Sequence, residues 1–538
     1  MRKLVLAAAA AACLASQASA QPAPPRLLVV ISVDQFSADL FDEYRPQFTG
    51  GFARLASGAV FHNGYQNHAA TETCPGHSTI LTGDRPATTG IIANSWINQA
   101  LNRSDKGIYC AEDEAAPGSS SADYKVSDRH LRVPTLGDRM KGAWPTARNV
   151  AVAGKDRAAV MMSGHRPDQR WYWDGKKFAT DLTGVAAPAY VAATNAAVQK
   201  LIAEPQPGLE PPPFCVAKAQ PVTLPSGKTL GNGTLARAAG DAAAFRASPE
   251  LDASVLALSA GLIAEMKLGR NPAPDVISVG LSATDYVGHT YGPGGQEMCL
   301  QLLDLDRELG DFFAVLDRSG IDYALVLTAD HGGLDIPERL RLKGVADAAW
   351  VDPALRASEM GKKIAAKLGL PGPVLIGDVS GDVWIDRSLK VADQARVLKE
   401  ALAAYRAHPQ VAKAFSRDQV ASTAMPSGDP VGWSVIQRVR ASFDPERSGD
   451  ILVMLKPHIM PIVDTSRYVA THGSPWDYDR RVPIAFWRKG MPASEHPEAA
   501  ETADIMPTLA AMIGLPLAAP AIEGKCLGGV GTVICPTR

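Results

Sequence analysis

The stretch YALVLTADHGG, residues 323–333, runs from an aliphatic block into Ala-Asp-His-Gly-Gly. An apolar run this short, without polar alternation and closed by two glycines, reads as a strand buried on both faces. The same grammar occurs in RLLVVISVDQ, residues 26–35, and in DVISVGLSATD, residues 275–285. Each run brings an Asp to its carboxyl end: Asp34, Asp285 and Asp330. In open α/β sheets ligand sites lie at that end of the strands, so carboxylates far apart in sequence are expected to converge there. The expected fold class is therefore α/β, with a mainly parallel central sheet.

Outward from these strands, helical patterns fill the gaps. Residues 248–269 (SPELDASVLALSAGLIAEMKLG) precede the second run and residues 299–320 (CLQLLDLDRELGDFFAVLDRSG) precede the third, so helices should flank the sheet. The proline-rich residues 203–230 break this rhythm, and residues 335–445 form a long excursion before GDILVML. Both are expected as insertions, placed at about 160–250 and 335–445, that cap the sheet edge.

The 538 residues allow a large core, and 46% hydrophobic with 20% charged residues is the composition of a globular chain. The net charge is -2, and it becomes -4 without Arg2 and Lys3, which gives no support to nucleic-acid or anionic-membrane binding. Residues 1–20 have the three parts of a cleaved export signal: Arg2-Lys3, the apolar run Leu4 to Ala15, and Ala18-Ser19-Ala20. No later run is long enough to span a membrane, so the expected location is periplasmic or secreted. Six cysteines remain after the signal, an even number that favours disulfides. Cys526 and Cys535 are the expected pair because they are close in sequence, and Cys74 is expected as a disulfide partner rather than a nucleophile. No CxxC pair suggests a thiolate metal site.

Three Asp and three His form a coherent donor set: Asp34; Asp285 and His289 of TDYVGH; Asp330 and His331 of ADHGG; and His472 of ATHGS. Carboxylates with imidazoles suit two zinc-like divalent ions. Asp285 and His289 are one helical turn apart and would face the same way. Asp330 and His331 are adjacent, and Gly332 with Gly333 would free the backbone to bring both to one ion. Taken singly, each has a plainer reading as a helix cap or an ordinary polar residue, and that is the reading for His77 and His408.

ISVDQFSADLFDEY, HAATETCPGHSTILTG, GIIANSW, VAGKDRAA, GLSATDYVGHTYG, LTADHGG and ATHGSPWDYDRRVPI follow one another in order along the chain. Together they resemble the threonine-dependent bacterial alkaline phosphatases of the PhoK and PafA type, in the alkaline phosphatase superfamily. The resemblance implies an exported alkaline phosphatase with one catalytic domain, residues 21–538, acting on small phosphate monoesters through a phosphothreonine. It implies two zinc ions, one on Asp285, His289 and His472, the other on Asp34, Asp330, His331 and the Thr73 oxygen. It makes Thr73 the nucleophile and puts Asn94, Lys155 and Arg157 on the phosphate. An accessory calcium or magnesium ion has no assigned ligands, and a monomer or weak dimer is expected.

Two features of the residues agree with these roles. Pro75 suits the first turn of a helix starting just behind Thr73, whose positive end would favour phosphate. Lys155 and Arg157 together complement a monoester dianion better than a diester monoanion. A phosphodiesterase or nucleotide pyrophosphatase of the same superfamily, or a non-catalytic metal-binding relative, remain as alternatives. A sulfatase fits poorly, because CPGHS lacks the C/S-x-P-x-R pattern, and a phosphoethanolamine transferase would need membrane helices that the sequence lacks.

Overall fold

The computed structural model describes residues 23–517 and 521–536, so the signal-like segment 1–20 lies outside the described residues. The uninterrupted apolar runs form strands. The longer strands of the main sheet are β1 (Leu27–Val33), β2 (Ala59–Tyr65), β3 (Asn149–Ala153), β4 (Gln169–Trp173), β5 (Asp275–Leu281), β6 (Tyr323–Thr328) and β7 (Arg481–Arg488). They lie in the order β2-β7-β6-β1-β5-β3-β4, and short edge strands extend the sheet to ten. From β6 to β4 every pairing is parallel, with Leu27 level with Asp275 and with Tyr323. β7 runs antiparallel to both β6 and β2.

Five helices matter for the site: α1 (Thr73–Thr82), α2 (Asp156–Ser163), α3 (Pro249–Glu265), α4 (Ala283–Tyr291) and α5 (Gln296–Ser319). Alternate residues of β1 serve opposite faces of the sheet. Leu27, Val29, Ile31 and Val33 pack in one core with Leu251 and Val255 of α3 and Leu305 and Leu309 of α5. Leu28 and Val30 pack in another with Ile80 and Leu81 of α1 and Ala158 and Met162 of α2. Each such large side chain contributes about 1.5–3 kcal/mol through burial, so both faces fix β1 and the residue that follows it.

The insertions differ from expectation at their edges. Residues 160–179 complete α2 and supply β4 and the edge strand Phe178–Ala179 that pairs with it, so the first excursion begins beyond Ala179. GDILVML does not return to the main sheet. Ile451–Leu455 instead joins Leu375–Gly377, Gly381–Ile385 and Val411–Ser416 in a separate antiparallel sheet with its own apolar core. This cap sheet extends the second insertion past residue 445. Disulfides join Cys74–Cys110, Cys215–Cys299 and Cys526–Cys535; the second pins the proline-rich excursion to α5. No helix among the described residues is long and apolar enough to cross a membrane.

Candidate active site

Asp34 follows β1 directly, and Asp330 lies two residues beyond β6. Asp285 is not at a strand end as expected; it occupies the first turn of α4, with His289 one turn later. His289 Nε2 lies 3.2 Å from Asp285 Oδ1, and His472, on the chain entering β7, places its Nε2 3.5 Å from the same oxygen. His331 Nε2 is 3.4 Å from Asp34 Oδ1 and 3.3 Å from Asp330 Oδ2. The His331 and His472 rings stack at 3.6 Å, which joins the two groups.

Gly332 and Gly333 act by close approach rather than by backbone freedom, since neither has a left-handed φ. A Cβ on Gly332 would sit 2.2 Å from the Tyr478 carbonyl oxygen, and one on Gly333 would meet the Gln35 side chain at 2.9 Å. The glycines let the segment before β7 lie against the end of β6, where Gly332 N donates to Asp479 O at 2.7 Å.

The imidazoles share one orientation. Nδ1 of His289 bonds Ala470 O at 2.7 Å, Nδ1 of His331 bonds Gly332 O at 2.8 Å, and Nδ1 of His472 bonds Thr71 O at 2.8 Å. A carbonyl only accepts, so each Nδ1 carries the proton and each neutral ring presents a bare Nε2 lone pair. Those lone pairs face carboxylate oxygens, an arrangement that is repulsive unless a cation lies between them. Asp34 Oδ1, Asp285 Oδ1, Asp330 Oδ2 and His331 Nε2 are buried without a hydrogen-bond partner. Such orphaned donors are costly in a protein interior and fit divalent metal ligation. Donor atoms of Asp285, His289 and His472, and of Asp34, Asp285 and His331, lie within 4.8 Å of one another. Asp285 thus stands between both groups.

Electrostatics separate the carboxylates. Burial, then the Asp330 charge, pushes Asp34 well above the usual carboxylate range. Burial also opposes ionisation of Asp285, yet positive charge beside it, that of the Lys155 ammonium on its Oδ2, holds it well below that range. Burial lowers His331 and His472, keeping their rings neutral.

Thr73 is the first residue of α1, fully buried, with Glu72 at the N-cap position and Pro75 in the first turn. A Cβ on Gly76 would sit 2.1 Å from Asp330 O, so this glycine seats the first turn of α1 against the loop that carries Asp330 and His331. Arg157 Nη2 approaches Thr73 Oγ1 at 3.3 Å. Asn94 Oδ1 accepts from Cys74 N at 2.8 Å, and the Cys74–Cys110 disulfide ties α1 to the strand Gly107–Tyr109 beside it. Lys155 occupies the N-cap position of α2, its Nζ 2.6 Å from Asp34 Oδ2 and 2.5 Å from Asp285 Oδ2. Burial opposes its charge, but Asp285 and Asp34 more than offset this and raise its pKa. Lys155 is thus a buried bridge between two carboxylates.

Two supporting residues escaped the sequence reading. His77 is fully buried, with Nδ1 2.9 Å from Thr73 O and 3.1 Å from Asp330 Oδ2. Its position one helical turn after Thr73 was the available signal. Glu72 accepts from Asn94 N at 2.7 Å and so positions the loop that carries Asn94; nothing in the sequence marked that contact.

A family model described as type I phosphodiesterase / nucleotide pyrophosphatase matches residues 28–475. Alkaline phosphatase PhoK of a Sphingomonas species is 55% identical, over 94% of this chain and 91% of its own. Alkaline phosphatase PhoD of Zymomonas mobilis is 45% identical, over 93% of this chain and 88% of its own. The crystal structure of wild-type alkaline phosphatase PafA matches with a TM-score of 0.81 at 26% identity, covering 94% of this chain and 99% of that one.

Proposed function

The chain belongs to the type I phosphodiesterase / nucleotide pyrophosphatase family and, within it, to the alkaline phosphatases of the PhoK and PafA type; from that premise we propose an exported, zinc-dependent phosphate monoesterase that works through a phosphothreonine. The three disulfides agree with an oxidising compartment such as the periplasm or the exterior. The observation that carries the reading is the set of three imidazoles, each held by a carbonyl at Nδ1 and each aiming Nε2 at buried carboxylates beside Thr73.

Asp285, His289 and His472 would hold one zinc ion; Asp34, Asp330, His331 and Thr73 Oγ1 would hold the other. When bound, the pair supplies Lewis acidity for the hydroxyl nucleophile, for water and for the departing oxygen. Thr73 Oγ1 bonds to phosphorus in line as the ester P–O bond breaks, leaving phosphothreonine and the free alcohol; water then cleaves the new P–O bond and phosphate departs. The amino end of α1 favours the phosphate anion at Thr73. Arg157 binds non-bridging oxygens through its planar fork, Asn94 donates its side-chain N–H beside it, and Lys155 adds positive charge while fixing Asp34 and Asp285. With Lys155 engaged in that bridge, matching the second negative charge of a monoester falls mainly to Arg157.

Diester cleavage is the second reading, favoured by the family match itself. Rates on 4-nitrophenyl phosphate and bis(4-nitrophenyl) phosphate, after chelation and metal replacement, decide between them. Chelation should abolish activity, zinc should restore it better than magnesium, and the monoester should be the better substrate. A faster diester reaction would reverse the assignment.

A further inference from the structure

Between the main domain and the cap sheet lies a cavity of about 360 Å3. Glu72, Asn94 and Gly473 form one wall; they are the sequence neighbours of Thr73 and His472 together with a proposed phosphate-binding residue. The facing wall belongs to the cap, with Asp378, Asp382 and Trp384. The volume falls in the range of roughly 300–1,000 Å3 found for small-ligand sites.

The charges in this space are one-sided. Glu72, Asp378 and Asp382 line it, and no Lys, Arg or His does so among the described residues. The rest is largely apolar, including Leu452 and Met454 of the cap sheet. The adjoining phosphate site presents the Arg157 guanidinium, to which the two zinc ions proposed above would add. Burial, with some help from Glu72, lifts Asp382 to about 6 against the Gly449 amide that bonds it, so it is ionised at alkaline pH. A cationic end next to an anionic, partly apolar end is complementary to a zwitterion. Ammonium groups gain further from an aromatic face such as Trp384.

The geometry points to this cavity as a leaving-group subsite that selects phosphate monoesters whose alcohol carries an amine or quaternary ammonium on a short apolar chain. This rests on the reading of Thr73 as the point of phosphoryl transfer. The cap thereby contributes specificity to a reaction whose chemistry lies wholly in the main domain.

The test compares phosphocholine, its neutral isostere 3,3-dimethylbutyl phosphate, and 3-carboxypropyl phosphate on the zinc-loaded full chain. The cationic ester should exceed the neutral one in kcat/KM by about fivefold, the size expected of a partly exposed charge pair, and the carboxylate should fall below both. Asp382→Asn, which keeps an acceptor for Gly449, and Asp378→Asn, on the exposed rim, should each bring the cation-to-neutral ratio toward one. A flat series in the unaltered enzyme, or a ratio untouched by both variants, overturns the subsite. Calorimetric binding of phosphocholine and 3,3-dimethylbutyl phosphate tests it without turnover. If none of the esters is hydrolysed, the Thr73 reading fails; tighter phosphocholine binding that Asp382→Asn weakens would still support the cavity, and equal binding of the two esters would refute it.

Discussion

The main sheet and the cap sheet are both made of short apolar strands, but they meet water differently. β1, β5 and β6 are buried at every position. In the cap, Val411–Ser416 and Gly381–Ile385 mix buried with partly exposed residues, and helices Ala357–Leu368 and Val391–Ala407 pack in the same local core. A sheet held from both faces can fix side chains at its edge to within the tolerance that metal ligation demands. A sheet whose flanking strands reach water, as Val411–Ser416 and Gly381–Ile385 do on either side of the buried Ile451–Leu455, tolerates substitution there and is suited to shaping a rim. Every proposed metal ligand comes from the main domain or the loop entering β7, and the cap supplies only the facing wall of the cavity.

This contrast breaks first at Thr73. Thr73→Ala should lower monoester turnover by on the order of a thousandfold or more and abolish acid-stable phosphothreonine, with metal content by elemental analysis unchanged. Metal loss would mean that the hydroxyl is chiefly structural. Arg157→Ala should reduce kcat/KM for a monoester by roughly 10- to 100-fold, the value of a charge-assisted hydrogen bond, and reduce diester cleavage less. Equal losses on both would remove charge matching as the basis of selectivity.

The cap should respond in stability rather than in chemistry. Ile364→Ala, in the buried cap core, should cost about 2–4 kcal/mol of cap stability in urea unfolding. Its kcat should stay within about twofold of the unaltered enzyme; a large fall would show that the cap's rigidity is transmitted to the proposed metal ligands.

The smallest effect concerns Asp252, which accepts from Ala283 N at 3.0 Å at the start of α4. Burial lifts its carboxyl to about 7, against bonds from Ala283, Ser282 and Gln301 that favour the charge. Because the folded pKa lies above the unfolded value of about 3.9, the stability this group confers is complete below pH ~4, is lost as pH rises to about 7, and is level beyond. The unfolding free energy of chelated Asp252→Asn should therefore rise relative to the unaltered protein between pH ~4 and ~7. A constant difference across that range would place the proton elsewhere.

The same contrast explains what the sequence made legible. β1, β5 and β6 could be read because burial on two faces leaves no polar interruption, and the convergence of Asp34 and Asp330 follows from strand polarity alone. His289 was readable from its one-turn spacing to Asp285. Ile451–Leu455 misled because an all-apolar strand looks alike whether it joins the main sheet or the cap, and only tertiary pairing separates them. Asn94 and Arg157 carry no local pattern, so only resemblance singled them out. The bridge from Lys155 to Asp34 and Asp285 joins residues distant in sequence, and the contact of His77 with Asp330 is invisible there because a single imidazole has no periodicity of its own.

β7 is the last long strand of the main sheet in the chain, yet it lies between β6 and β2, and β2 leads into the helix that begins with Thr73. Since translation proceeds from the amino terminus, the segment bearing Thr73, the proposed nucleophile, is made early, long before the strand that completes its side of the sheet. A product that stops before residue 472 lacks both His472 and β7, so the proposed donor set is complete only when nearly the whole chain has been made.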